Sequence, residues 1–135
     1  MLDFNKCPCS GSNLDKFIQP LILAILAQED LYGYKIIQRI AESPMFKGHK
    51  PDRTGVYRFL KTMEQRGLVE SSWFMIETPP AKKFYHLTNT GLKCLSLWIA
   101  TLEEYHQSIG MMVEEIREVY AKTKCGKDNL KQIED

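Results

Sequence analysis

Pro51-Asp52-Arg53-Thr54-Gly55-Val56-Tyr57-Arg58-Phe59-Leu60-Lys61-Thr62-Met63-Glu64-Gln65-Arg66-Gly67-Leu68 holds one complete helix with its start and stop signals. Proline suits a first helical turn because its missing N–H would have no partner there, and Asp52, in or just before that turn, can accept from free backbone donors. Val56, Phe59, Leu60 and Met63 recur at helical spacing and mark the buried face of a helix running to about Arg66. Gly67 stands where a helix C-cap favours glycine, with Leu68 just beyond. The other side carries Arg53, Thr54, Tyr57, Arg58 and Lys61. Arginine can read guanine bidentately, and lysine meets phosphate as a point charge. The Tyr57 hydroxyl can donate to a phosphate, and the free N–H groups near Asp52 can face one. A merely solvated basic face is the alternative.

Upstream, Ser12 or Asn13 can cap a helix beginning near Leu14, with Asp15 in its first turn. Pro20 either kinks that helix or marks a restart, since it lacks a donor. Leu21, Leu23, Ala24, Leu26 and Ala27 make the following stretch apolar nearly all round, so it must be buried; Glu29-Asp30 end it. Tyr32-Gly33-Tyr34 opens a second helix with Ile36, Ile37 and Ile40 at helical spacing, and Ser43-Pro44 stops it. Phe46 to Lys50 is a polar loop.

Downstream the period changes. Val69 to Ile76 is rich in β-formers and aromatics, and Phe84 to Thr88 is a second such run. Thr78-Pro79-Pro80-Ala81 cannot sit in a central strand and reads as the turn between them. A two-stranded hairpin follows, with Lys82 and Lys83 near its tip, and it must lie against the helices to be stable. Thr88 is placed to cap the last helix. There Leu95, Trp98, Leu102, Tyr105, Ile109, Met112, Ile116 and Val119 alternate steps of three and four. This heptad seam spans about 36 Å of helix. A helix facing only its own core would carry a broader stripe that drifts to 3.6, so the seam argues for a partner helix, most economically that of a second subunit. Residues from about Lys122 are polar and read as a frayed tail.

Three helices, a hairpin and a long helix define a mainly α fold with a small β-hairpin: a winged helix-turn-helix plus a long C-terminal dimerisation helix. The expected organisation is an arm at 1–13, the winged domain at 14–88, the dimerisation helix at 89–121 and the tail at 122–135. The third helix is expected in the major groove, with the wing on flanking backbone. Charge agrees with this. Lys35 to Arg66 holds eight Lys and Arg against three acids, whereas Leu92 to Tyr120 holds five acids against two bases. A basic centre suits a polyanion, although two solvated faces of opposite sign would look the same. The longest apolar run, Leu21 to Ala27, is too short to span a membrane. Met1 to Ser10 lacks the apolar core of a secretory signal, so a cytoplasmic protein is expected.

Four cysteines are few for a disulfide scaffold. Cys7 and Cys9, one residue apart, can share a soft metal such as zinc; a closed site needs about four ligands, from a second subunit or from Cys94 or His49. They can equally form a redox switch, or be ordinary small residues in a flexible arm. His49, His86 and His106 are too scattered to make a site by spacing. No nucleophile elbow, phosphate-cradling glycine loop or paired-carboxylate arrangement occurs, so no enzymatic activity is expected. Glu103-Glu104 and Glu114-Glu115 read as solvated positions flanking the seam.

Leu31-Tyr32-Gly33-Tyr34-Lys35-Ile36-Ile37, Gly55 to Glu64, Gly67-Leu68-Val69-Glu70-Ser71, and Lys82 to Thr88 followed by Gly91 resemble the PadR family of transcriptional regulators. The resemblance covers roughly residues 14 to 105 in the right order. The opening Cys7-Pro8-Cys9-Ser10-Gly11, with Leu14, Phe17, Gln19 and Pro20, is similar to a subset of PadR-like proteins with an N-terminal Cys-x-Cys. The resemblance implies a homodimer on a palindromic operator in double-stranded DNA, a repressor relieved by a small molecule or stress signal. By the resemblance Tyr57 and its neighbours would contact DNA, and with the third-helix face and the wing the expected contacts are Tyr34, Arg53, Thr54, Tyr57, Arg58, Lys61, Lys82 and Lys83. PadR-like dimers can hold flat aromatic compounds between subunits, and Trp98, Tyr105, Met111 and Met112 could line such a cleft. At heptad spacing, plain dimer core is the competing reading. The alternatives are a winged-helix interaction module without DNA binding, a metal or redox sensor using Cys7 and Cys9, and, far behind, a small enzyme built on those thiols.

Overall fold

The computed structural model describes residues 3, 7–11, 14–74 and 81–123. The helices are α1 (Ile18–Gln28), α2 (Gly33–Glu42), α3 (Arg53–Gln65) and α4 (Asn89–Lys122), and the strands are β1 (Leu31–Tyr32), β2 (Val69–Phe74) and β3 (Lys82–Leu87). Two compact units are distinguished, Met1–Ser96 and Leu97–Asp135. The first holds α1 to α3, the sheet and the start of α4. The second consists, among the described residues, of the remainder of α4.

The first helix does not begin near Leu14. Asp15–Phe17 forms a single 3-10 turn, and α1 starts at Ile18. Pro20 thereby falls in the first turn of α1, where no intrahelical donor is required, so the proline marks a restart. Ser12 and Asn13, the expected caps, lie outside the described residues.

The expected two-stranded hairpin is a three-stranded antiparallel sheet in the order β1-β3-β2. Leu31 and Tyr32 pair with Tyr85 and Phe84, covering the edge of β3 that a hairpin would leave open. The pairing from Val69↔Leu87 to Phe74↔Lys82 is continuous. Thr78, Pro79 and Pro80 of the expected turn, and Met75 and Ile76 before them, lie outside the described residues, as does the tail from Lys124 with Cys125. The core collects Ile22 and Leu23 of α1, Ile36 and Ile40 of α2, and Val56, Leu60 and Met63 of α3, with Val69 and Tyr85 from the sheet. Phe59, expected among them, is only half-buried.

Both ends of α3 are closed by hydrogen bonds. The Gly55 N–H donates to Asp52 Oδ2 at 3.1 Å, which caps the first turn. At the other end Leu68 N–H donates to the Met63 carbonyl and Gly67 N–H to the Glu64 carbonyl. With Gly67 at φ 76°, this pair is the Schellman arrangement that turns the chain into β2. Thr88 ties the last helix to that same corner. Its N–H donates to the Leu68 carbonyl, its hydroxyl faces the carbonyls of Gly67 and Leu68 at 2.6 and 3.0 Å, and Oγ1 accepts from Gly91 N–H at 3.0 Å.

Along α4, Leu95, Trp98 and Leu102 are half-buried. Tyr105, Ile109, Met112, Ile116 and Val119 are 47–61% exposed. Leu97, Ile99, Met111 and Val113 are exposed as well, so the apolar surface of α4 is broader than the seam alone. No helix among the described residues is long and apolar enough to cross a membrane.

Candidate nucleic-acid interface

Because α3 buries Val56, Leu60 and Met63, its opposite side must face solvent, and Arg53, Thr54, Tyr57, Arg58 and Lys61 are all exposed there. At about 100° per residue these five occupy an arc of about 140°. None of Arg53, Arg58 and Lys61 forms an ion pair among the described residues. Their charge is therefore available to an external anion. By contrast, Arg39, which adds to the central positive charge in sequence, is held by Glu29.

Tyr57 is positioned by a glycine. A Cβ at Gly33 would come within 2.4 Å of the Tyr57 hydroxyl and 2.5 Å of its Cε1, so the hydroxyl end of the ring packs against the first residue of α2. Glycine is costly in a helix, and here the cost permits a close approach. The contact brings Tyr34, the next residue of α2, beside the α3 face. Lys50 stands 5.8 Å above the Tyr34 ring and Arg53 5.9 Å from that of Tyr57, each within cation–π reach. Two aromatic rings and two cations thus form one exposed patch across the start of α2 and of α3. The close packing of Gly33 on Tyr57 escapes sequence reasoning, although a glycine at a helix start between Tyr32 and Tyr34 is the signal for it. Lys50 is likewise a patch member not expected among the contacts.

The two wing lysines stand at the start of β3, beside the turn segment, but their side chains have partners within the chain. Lys82 and Lys83 are the first residues of β3 and are half-buried by their own chain. Lys82 Nζ lies 4.2 Å above the Tyr32 ring. Lys83 Nζ is 3.7 Å from Glu64, 5.5 Å from the Tyr85 ring and 6.0 Å from that of Trp73. Strand pairing with Phe74 and Trp73 places them over these partners. Lys61 and Lys83 line a cleft of about 400 Å³ between α3 and the sheet, with Tyr85 also in its wall. Burial first, then the Glu64 carboxylate and Tyr57, push the Tyr85 phenol above its ordinary pKa. His86 engages Asp30 at 2.9 Å on the outer side of the sheet.

At the N-terminus, Pro8–Ser10 forms a 3-10 turn in which Cys9 N–H donates to Cys7 Sγ at 3.4 Å. Hydrogen bonding from the Cys9 thiol, then from its backbone, lowers the Cys7 pKa, while the same thiol contact and burial raise that of Cys9. Among the described residues no three His, Cys, Asp or Glu side chains gather where a metal could be held. The asymmetry makes Cys7 the better nucleophile, because the thiolate is the reactive form. Limited iodoacetamide labelling at neutral pH should modify Cys7 ahead of Cys9. Cys9→Ala should slow labelling at Cys7, as its pKa returns upward; peptide mass spectrometry reads both.

Three helices in this order, a small antiparallel sheet and a long final helix make the molecule a winged helix-turn-helix protein. A family model described as the transcriptional regulator PadR-like family matches residues 22–96, and the chain belongs to that family. Solved structures agree. A candidate transcriptional regulator of Thermoplasma acidophilum is 27% identical, with a TM-score of 0.66, over 75% of this chain and 94% of that one. A PadR family transcription regulator of Clostridium difficile is 26% identical, with a TM-score of 0.62, over 72% and 98% respectively. A PadR-like regulator of Bacillus cereus is 26% identical, with a TM-score of 0.52, over 78% and 93%. No curated protein sequence matches the chain significantly.

Proposed function

We propose that this chain is a homodimeric DNA-binding regulator that seats two copies of α3 on a palindromic operator and represses transcription until a small molecule or stress signal releases it. The observation that carries this reading is the α3 face, where Arg53, Arg58 and Lys61, without an ion pair among the described residues, flank a Tyr57 ring packed against Gly33. Tyr34, Thr54 and Lys50 extend the contact to the phosphates beside it. Lys82 and Lys83 meet the backbone only by leaving their aromatic and carboxylate partners, so they contribute less than the α3 residues. Residues 89–121 act as the dimerisation helix, and the protein works in the cytoplasm.

The test is binding to DNA from its own promoter against scrambled DNA, across a salt series. Specific binding should fall steeply with salt, as phosphate contacts require. Tyr57→Ala and Arg58→Ala should each cost roughly tenfold or more, on the scale of 1–3 kcal/mol per good contact. Gly33→Ala should cost about as much as Tyr57→Ala, because the new methyl evicts the ring, and combining the two should add little. Weak binding to every DNA at physiological salt would instead favour an interaction module.

Two sites can sense the signal. Trp98 and Tyr105, with Met111 and Met112, are candidates for a cleft that takes planar aromatic molecules between subunits. A saturable change in Trp98 fluorescence with such compounds, lost in Tyr105→Ala, is expected; no response across a varied panel would leave these side chains as dimer core. The Cys7–Cys9 pair is the second candidate, supported by the hydrogen bond onto Cys7 Sγ. Zinc or another soft metal shared between two subunits, or disulfide formation, would alter DNA binding there.

A further inference from the structure

A groove of about 960 Å³ runs along the flank of α3, walled by Ser10, Gly11, Leu14, Asp15, Ile18 and Gln19 on one side and the 45–52 loop on the other. Its apolar lining comes from Leu14, Ile18, Met45, Phe46 and Phe59. Around it stand Lys47, His49, Lys50, Arg58 and Arg66, against the carboxylates of Asp15 and Asp52. Asp52 already accepts the Gly55 N–H as the cap of α3. Four permanently cationic side chains therefore face two carboxylates over an apolar floor, within the size range of small-molecule pockets.

We propose that this groove binds an amphiphilic anion, an apolar body with a single carboxylate head, in competition with DNA. An uncharged apolar molecule would leave the cations unmatched, and a small inorganic anion would leave the apolar floor wet. No buried polar side chain occurs among the described core residues to read a pattern of hydroxyls, so the groove selects by charge and apolar bulk. The head is assigned to Arg58 and Lys50, Arg58 offering two parallel N–H donors to the carboxylate. Those two cations also belong to the DNA-facing patch, Lys50 through its place over Tyr34. A head group held there withdraws them from phosphate, which couples the groove to operator affinity. Neither Trp98 nor Tyr105 is among its lining residues.

The test is calorimetric titration of the full chain with decanoate, with decanol as the uncharged control. Saturable binding of one decanoate per chain is expected, with decanol weaker by about tenfold, the loss expected when a charged hydrogen bond is removed. Met45→Asp introduces a repelling carboxylate at an exposed position, so folding is not at stake, and it should weaken decanoate by a similar factor. Arg58→Gln should do the same, whereas Trp98→Phe should leave binding unchanged. Decanoate should then weaken promoter binding by wild type but not by Met45→Asp. Absence of saturable binding, equal affinity for decanol, or loss with Trp98→Phe but not with Met45→Asp would overturn the site. Decanoate bound without effect on promoter binding would overturn the competition. The coupling rests on the DNA-binding reading; the titration contains no DNA and fails or succeeds independently of it.

Discussion

Gly91→Ala is expected to lower the melting temperature of the full chain by roughly 10–20 °C, corresponding to about 3 kcal/mol for a domain of this size. A Cβ at this position would lie 2.1 Å from the Leu68 carbonyl oxygen and 2.5 Å from Leu87 Cδ1. Leu68 O is backbone, held in place by the Thr88 N–H and facing the Thr88 hydroxyl. It cannot swing aside as a side chain would. Either α4 moves off the corner, breaking the Thr88 bonds, or the Schellman turn at Gly67 opens. Gly110→Ala provides the control in the same helix. Nothing lies within 4 Å of a Cβ there, so the change should be neutral or stabilise by up to about 1 kcal/mol through helix propensity. Thermal unfolding at one fixed protein concentration compares the two without a shift from self-association. Equal melting temperatures would mean that α4 does not approach Leu68 this closely in solution.

That corner also shows what could and could not be taken from the residues alone. Asp52, Gly67 and Thr88 announce themselves because capping is local: donor, acceptor and turn all lie within a few residues. The buried faces of α2 and α3 were legible because their period is written into the chain. Gly91 and Gly33 were not, since each is small on account of something distant in sequence, the Leu68 carbonyl in one case and the Tyr57 ring in the other. Strand β1 escaped for the same reason. Leu31-Tyr32 is too short to show a period, and only the open edge of β3, more than fifty residues later, gives it a partner. The α3 residues expected to meet DNA lie, as their period implies, on the exposed side of the helix. The partners of Lys82 and Lys83 needed the strand register, which pairs them with Phe74 and Trp73 and brings them to Tyr32 and Glu64.

If the chain dimerises through α4 as proposed, Ile109→Glu combined with Ile116→Glu is expected to give a monomer and to weaken operator binding by roughly 10²–10⁴-fold, the advantage that linking two half-site contacts provides. Both side chains are about half exposed or more in the single chain, at 47% and 59%. Folding of one chain therefore gains little from them, and a charge there should leave the winged domain intact. In a helix pair they sit one heptad apart on the seam, where burying an unpaired carboxylate costs several kcal/mol. Two such charges in each chain exceed what the remaining contacts of Leu102, Tyr105 and Met112 can offset. Sedimentation at micromolar protein reads the mass, circular dichroism confirms the retained helix and sheet, and the promoter titration reads the affinity. Residual DNA binding by the monomer should keep the Tyr57 and Arg58 dependence but show a shallower salt slope, because half the phosphate contacts are gone. A double variant that remains dimeric would shift the interface onto Leu97, Ile99, Met111 and Val113, which the seam leaves outside. Ile99→Glu would then become the dissociating substitution, because the exposed apolar side chains of α4 would still require a covering surface.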